Sequence, residues 1–264
     1  MPILLAEDSK QDMLTWKEVL ELRGYTVDEA PTYAAAEQRL NQGGIDVAVV
    51  DLYLEGNTGP ARGLDLAKAF GDKLPLIILT SQPSLRVAVD SLHSKACDFV
   101  QKIDGADKLL TAVELAHRKR VFVVHGHDIE ALGMIRDFLR SKHLWPIVLQ
   151  AEPGAGLTII EKVEKYANVA FATVLLTPDD VGGKQVRNGK VVLRPRPRQN
   201  VLFELGYFMG KLGRGRTAVL CKRDEDMELL SDYGGVQYIS LLAENWREQF
   251  VVELLAGGIA VATQ

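Results

Sequence analysis

Twice along this chain, short runs of aliphatic and β-branched residues alternate with amphipathic stretches, and that alternation constrains the fold more than any other feature. In the first half, Ile3–Ala6, Thr26–Glu29, Val47–Val50, Leu76–Leu79 and Asp98–Val100 read as strands. Between them, Lys10–Arg23, Thr32–Asn41, Leu64–Phe70, Leu85–Ser94 and Ala106–Lys119 read as helices. Strand followed by helix, repeated, predicts a parallel sheet with helices on both faces, because parallel neighbours need a crossover and the crossover covers the sheet. The second half repeats the plan, with strands at Val121–His125, Pro146–Leu149, Ala172–Leu176, Thr217–Leu220 and Val236–Ile239. Its helices are expected at Ile129–Lys142, Thr158–Ala167, Asn200–Leu212 and Glu244–Leu255. The expected class is α/β, with two doubly wound parallel-sheet domains in succession, residues 1–119 and 120–264, and no Gly/Ser/Pro-rich linker between them.

The formal net charge of -4 is unevenly placed. Residues 1–120 hold 14 Lys/Arg against 18 Asp/Glu, and residues 121–264 hold 17 against 17. A mildly acidic chain with no helix-turn-helix pattern is a poor candidate for DNA binding. No stretch approaches the roughly 18 consecutive apolar residues of a membrane span, and the first residues lack the basic start of a signal peptide. A cytoplasmic, non-membrane protein is expected. Cys97 and Cys221 have neither metal-site spacing nor a disulfide framework.

In a parallel α/β sheet, function gathers at the carboxyl ends of the strands. Glu7 and Asp8 follow the first strand and Asp51 follows the third. Converging carboxylates repel unless a cation joins them, and an all-oxygen set suits Mg²⁺. Thr80 ends the fourth strand with a hydroxyl and Lys102 follows the fifth with an ammonium. Such a set suits acceptance of a phosphoryl group on a carboxylate. The more conservative reading is that Glu7 and Asp8 merely cap the first helix. The spacing resembles the response-regulator receiver domain over roughly residues 1–119. The resemblance implies Asp51 as phosphoacceptor, and Glu7, Asp8, Asp51 and the backbone carbonyl of Tyr53 as Mg²⁺ ligands. It also implies Thr80, Phe99 and Lys102 as the switch residues. Two departures stand out: the family's Lys-Pro pair is Lys102-Ile103, and the loop from Asp51 to Gly63 is long. The chain has no kinase histidine signature, so the phosphoryl group is expected from a cognate histidine kinase or phosphotransfer protein.

In the second half, Val123-Val124-His125-Gly126-His127-Asp128 reads as a strand entering a glycine turn, with Asp128 as helix N-cap. Glu152 to Lys162 places two glycines before Thr158 and Glu161, a capping box but not a Walker loop. Asp179 and Asp180 follow another strand. Between Val181 and Phe203 lie Lys184, Arg187, Lys190, Arg194, Arg196 and Arg198 and no acid, a basic approach to a helix start that suits an anionic ligand. Glu204 sits on that helix, on the face of Asn200, among Leu202, Phe203, Leu205, Tyr207 and Phe208, where an unpartnered carboxylate is costly.

These stretches resemble the prokaryotic TIR-like domain related to effectors of cyclic-oligonucleotide anti-phage systems, over roughly residues 121–257. With the receiver, this makes two flavodoxin-like domains. The family's arginine–alanine–arginine–glutamine–asparagine run stands here as Arg196-Pro197-Arg198-Gln199-Asn200. The resemblance implies NAD⁺ cleavage at the nicotinamide–ribose bond with Glu204 as catalytic carboxylate. Gly126, Asp179, Arg198 and Asn200 are the candidate nucleotide-binding residues. The expected protein is a phosphorylation-responsive NAD⁺ glycohydrolase that works as a homodimer or larger self-assembly. The alternative is a non-catalytic phosphorelay protein that binds a nucleotide or protein partner. Other plain readings stand beside these: Glu204 neutralising the arginines, His125 and His127 in a hydrogen-bonded turn rather than on a metal, and Phe203, Tyr207 and Phe208 in the core.

Overall fold

The computed structural model describes residues 1–55, 60–81, 94–149, 158–185, 191–222, 227 and 238–261. The helix expected at Leu85–Ser94 falls almost wholly outside them. So do the glycine turn at 154–156, Arg187, Lys190, Ser231–Val236 and the middle of the loop between Glu55 and Pro60. Contacts divide the chain into two units, Met1–Arg120 with Gln150–Asn168, and Val121–Leu149 with Val169–Gln264.

The first unit opens with β1 (Pro2–Ala6), α1 (Lys10–Leu22), β2 (Thr26–Ala30), α2 (Tyr33–Asn41) and β3 (Val47–Asp51). It continues with α3 (Arg62–Phe70), β4 (Leu76–Thr80), β5 (Asp98–Gln101) and α4 (Ala106–Arg118). The strands form one parallel sheet in the order β2-β1-β3-β4-β5, with Ile3 opposite Val47 and Val50 opposite Ile78. Side chains alternate between sheet faces, and here both faces are buried. Ile3, Leu5, Val47, Val49, Ile77 and Leu79 meet Met13, Trp16 and Leu20 of α1 and Leu109 and Val113 of α4. Leu4, Ala6, Ala48, Val50, Leu76 and Ile78 meet Ala36 and Leu40 of α2 and Leu66, Ala67 and Phe70 of α3. Ser9 and Thr32 accept from backbone N–H groups at the starts of α1 and α2. The cap of α1 is therefore Ser9, which leaves Glu7 and Asp8 for other work.

The second unit contains β6 (Arg120–Val124, from its second residue), α5 (Ile129–Ser141) and β7 (Trp145–Ile147). The following helix, α6 (Ile159–Tyr166), groups with the first unit and starts at the Thr158–Glu161 capping box read from the sequence. The second unit resumes with β8 (Phe171–Leu176), β9 (Asp180–Gln185), β10 (Val191–Arg196), α7 (Gln199–Leu212), β11 (Thr217–Cys221), β12 (Tyr238–Ser240) and α8 (Trp246–Ala256). Its five-stranded sheet runs β12-β11-β8-β6-β7, and β6, β8, β11 and β12 pair in parallel. One face buries Val121, Val123, Phe171, Leu175 and Leu220 under α5 and α8, where Phe138, Trp246 and Phe250 cluster. On the other, the Phe122 ring lies 4.5 Å from that of Phe208 in α7.

Two expectations need correcting. The segment between Asp179 and Gln199 is not only a basic approach to a helix, because β9 and β10 pair antiparallel as a separate two-stranded ribbon, with Asp180 opposite Arg196. Two consecutive glycines (Gly182 and Gly183) and two prolines (Pro195 and Pro197) mask its strand pattern. The Arg196 guanidinium lies over Gly182, where a methyl group would meet its carbon at 2.4 Å and displace that side chain. Phe203, expected in the core, is 59% exposed, whereas Phe208 is fully buried. Five positions on a 3.6-residue repeat turn the two rings to different sides of α7.

Inside the first unit lies a buried ion pair. Arg120 Nη1 is 2.6 Å from Asp46 Oδ1, and both side chains are almost completely enclosed. Arg120 also donates to the Asn168 carbonyl (2.7 Å), which His117 Nε2 contacts at 3.0 Å, and Asn168 Nδ2 donates to Asp46 Oδ2 (2.7 Å). Removing one partner of such a pair leaves a charge with neither water nor counter-ion. Asp46→Ala is expected to destabilise this unit by about 3–5 kcal/mol in urea unfolding, whereas replacing both partners by apolar residues of similar volume costs much less.

Candidate functional sites

Each five-stranded order reverses direction beside its first strand, between β1 and β3 in one sheet and between β6 and β8 in the other. At such a point neighbouring connections leave to opposite faces and open a crevice at the strands' carboxyl ends. Glu7, Asp8, Asp51, Thr80 and Lys102 of the first unit, and Gly126 and Asp179 of the second, lie at or just beyond such strand ends.

In the first unit, Glu7 and Asp8 leave β1 and Asp51 ends β3, and one carboxylate oxygen from each lies within 4.8 Å of the others. Glu7 and Asp51 are buried and Asp8 is exposed. Glu7 Oε1 accepts from the Ser9 N–H (3.2 Å), and Asp51 Oδ2 accepts from the Tyr53 N–H (3.1 Å). Tyr53 thus touches Asp51 through its amide. Gly63 lets the chain close behind this loop, since a methyl group there would lie 2.4 Å from the Asp51 carbonyl oxygen.

Lys102 follows β5 in a short 3₁₀ turn whose first amide, at Gln101, donates to Asp104. This turn stands where the family's proline would be, and Ile103 is 87% exposed in it. The Lys102 ammonium reaches Glu7 Oε2 at 2.7 Å, Asp12 Oδ2 at 2.6 Å and Asp51 Oδ1 at 3.5 Å. Burial would lower its pKa, but the bonds to Asp12 and Glu7 hold it above the ordinary lysine value. Burial also dominates at the acids: the Glu7 carboxyl is pushed up to about 7 against the pull of Lys102, with the Asp51 charge adding to the rise. Asp51 is raised too, mainly by burial. Three converging oxygens with an excess of negative charge fit a hard divalent cation such as Mg²⁺. Thr80 is buried at the end of β4, and Phe99 on β5 is half-buried against the α2/α3 side of the core.

In the second unit, the turn after β6 is held by Asp179. Its Oδ2 accepts from the His127 N–H (3.0 Å) and the Thr177 hydroxyl (2.7 Å). That oxygen sits so close to Gly126 that a methyl group there would lie 1.7 Å away, which explains the glycine. His125 Nδ1 lies 2.7 Å from the Gly126 carbonyl, an acceptor only, so that nitrogen carries the proton. Burial lowers the His125 pKa. Asp128 caps α5 through the Ala131 N–H and pairs with Lys222 (3.0 Å). The two histidines belong to a hydrogen-bonded turn, and among the described residues the acidic trio is the one His/Cys/Asp/Glu group with metal-binding geometry.

Arg198, at the N-terminal edge of α7, places Nη1 2.8 Å from His127 Nε2. An arginine can only donate, so His127 Nε2 is the acceptor. Glu204, half-buried in the second turn of α7, has its carboxyl pushed up to about 7 by burial, with the Arg198 charge opposing the rise. Gly126, Asp179 and Arg198 therefore converge on one turn, and Arg198 acts electrostatically on Glu204. Asn200 is exposed on the first turn of α7. Sequence spacing alone does not mark His127 or Thr177 as ligand-site residues. His127 is placed by contacts with Arg198 and Asp179 far away in the chain, and Thr177 by a hydroxyl bond to Asp179 two residues on.

Residues 3–114 match the response regulator receiver domain model, and residues 120–243 match the model for the CAP12/Pycsar effector protein TIR domain. The chain is 43% identical over 143 residues to the uncharacterized protein YuaY of Escherichia coli K12, covering 53% of this chain and 46% of that protein. It is 40% identical over 180 residues to the Pycsar effector protein PaPycTIR of Pseudomonas aeruginosa, covering 61% of this chain and 56% of the relative. The chain thus spans about half the length of these curated relatives. Among solved structures, a CheY-like receiver domain protein from Methanospirillum hungatei JF-1 aligns with TM-score 0.38 and 25% identity, over 43% of this chain and 90% of that one. Residues 3–114 are a response regulator receiver domain, and residues 120–243 are a TIR domain of the CAP12/Pycsar effector family.

Proposed function

We propose that this receiver–TIR signalling fusion accepts a phosphoryl group on Asp51 and that its output domain cleaves NAD⁺ at the nicotinamide–ribose bond. The observation that carries the output reading is Glu204, a half-buried carboxyl near pKa 7 with the Arg198 charge acting on it. Arg198 itself is held beside the switch-point turn by His127.

In the receiver, the Asp51 carboxylate attacks the phosphorus of a phosphodonor. The donor's leaving group departs with the bonding pair, and an acyl phosphate remains. Lys102, 3.5 Å from Asp51, offsets the added charge, and Thr80 at the end of the neighbouring strand donates its hydroxyl to the new phosphoryl oxygens. Glu7, Asp8 and Asp51 would hold Mg²⁺, which when bound neutralises charge on the transferred group. The donor is a cognate histidine kinase or phosphotransfer protein.

In the TIR domain, the C1′–N bond of NAD⁺ breaks and nicotinamide leaves as a neutral molecule with the bonding pair. The ribose is left with oxocarbenium character, which the ionised Glu204 carboxylate stabilises. Water then adds at C1′ and releases a proton, giving ADP-ribose. Arg198 and the positive end of α7 suit the pyrophosphate, and Asn200 lies one turn before Glu204. Phosphorylation acts by promoting self-association of the output domains.

With acetyl phosphate and Mg²⁺, the purified chain is expected to gain one phosphoryl group by mass spectrometry, and Asp51→Asn to gain none. Glu204→Gln is expected to lower NAD⁺ consumption, followed by chromatography, by about a hundredfold or more. No consumption by wild type at any protein concentration, with or without phosphodonor, overturns the catalytic reading.

The pH dependence has a definite sign. The carboxylate is the working form, so turnover falls about tenfold per pH unit below about 7 and levels off above it. Stability runs the other way, since the folded state holds the Glu204 proton more tightly than the unfolded chain does. Its contribution is present at low pH and is lost as pH rises through about 7. Thermal unfolding at pH 8 is therefore expected to show Glu204→Gln more stable than wild type.

A further inference from the structure

Among the described residues, Lys102 is the cation that reaches Asp51, and its nearest partner lies outside the acidic trio. Its ammonium has three N–H bonds to give. Two are used at ordinary distances, to Asp12 Oδ2 at 2.6 Å and Glu7 Oε2 at 2.7 Å. Asp51 Oδ1, at 3.5 Å, is beyond a good N–H···O bond. Asp12 is not there by accident of a mobile surface chain. It lies in the first turn of α1, with its amide capped by Ser9 Oγ at 3.3 Å, and a carboxylate is favoured at a helix start. The Lys102 side chain is only 11% exposed and Asp12 39%, so the pair sits at the rim of the crevice with its cation inside.

We propose that Asp12 is a positioning residue for phosphoryl acceptance: it anchors Lys102 away from Asp51 and competes with the acceptor for the ammonium. Glu7 shares that anchor in the present arrangement, but its oxygens belong to the set that suits a divalent cation. Asp12 is not among the described residues whose oxygens converge in that set. With Glu7 engaged elsewhere, Asp12 is, among the described residues bonded to Lys102, the carboxylate left to oppose its transfer to Asp51 and its phosphoryl group. Removing the Asp12 charge frees Lys102 to close on Asp51, where an added positive charge favours the pentavalent, negatively charged transition state. The proposal rests on Asp51 being the phosphoacceptor, and the test separates the two.

The full chain, labelled with ¹⁵N-lysine, is compared as wild type, Asp12→Asn and Asp12→Glu. Without donor or cation, the side-chain ammonium signal of Lys102, assigned from its loss in Lys102→Gln, is expected to move in Asp12→Asn and to return towards its original position in Asp12→Glu. With acetyl phosphate and Mg²⁺, Asp12→Asn is expected to take up phosphate about three- to tenfold faster than wild type, the scale of one partly exposed charged hydrogen bond, and Asp12→Glu at close to the wild-type rate. A Lys102 signal indifferent to Asp12→Asn overturns the proposal. So does an unchanged or lower rate in a chain whose wild type is phosphorylated. Absence of phosphorylation in wild type defeats the Asp51 reading instead, while the ammonium signal still decides whether Asp12 holds Lys102.

Discussion

A parallel sheet buried on both faces must route every connection over one face or the other, and the order of its strands decides where those routes part. In both units the first strand has its successors split to either side, and there the backbone opens. The alternation of Ile3, Leu4, Leu5 and Ala6 between two cores is what makes the first sheet doubly covered. Everything polar that the strand then carries must wait until it leaves the core. Glu7 and Asp8 do so after β1, as do His125 to Asp128 after β6. The same constraint thus produces two crevices, and the residues beyond the strand ends make them chemically different.

Charge is managed in opposite ways at the two. In the receiver, the acids outnumber Lys102, and burial holds the Glu7 and Asp51 carboxyls above their ordinary pKa values. Excess negative charge at a concave site suits a cation and, through it, a phosphoryl group. In the TIR domain, Asp179 is spent on the turn itself, binding the His127 amide and the Thr177 hydroxyl. That leaves Glu204 as a carboxyl near neutrality with Arg198 acting on it. The arrangement suits a substrate that brings its own anionic pyrophosphate and develops positive charge at a ribose carbon.

Much of this was legible in the sequence because it rests on local rules. The strand and helix alternation, the Asp128 cap and the Thr158–Glu161 capping box all came from residue types at fixed short spacings. The ribbon of β9 and β10 was not legible: consecutive glycines and interleaved prolines hide the period-two pattern, and its pairing partner lies across residues 186–190. Phe203 misled for a different reason. Its apolar neighbours suggest burial, but the helix has an exposed side, and only the docking of α7 through Phe208 fixes which side that is. Asp12 reads as an ordinary polar residue of an amphipathic helix. Its bond to Lys102, ninety residues later, is visible only in the folded chain.

The sequence by itself determined the α/β class, the two successive parallel sheets and which polar side chains stand at the strand ends, because strand period, helix period and strand-end position are local properties of the chain. The tertiary structure alone decided which of those side chains touch. Asp12 and Glu7 hold Lys102 at shorter range than Asp51 does, and His127 takes the Arg198 guanidinium. These are contacts between residues far apart in sequence, and their distances are set by how helices dock on a twisted sheet, for which no spacing along the chain is a substitute.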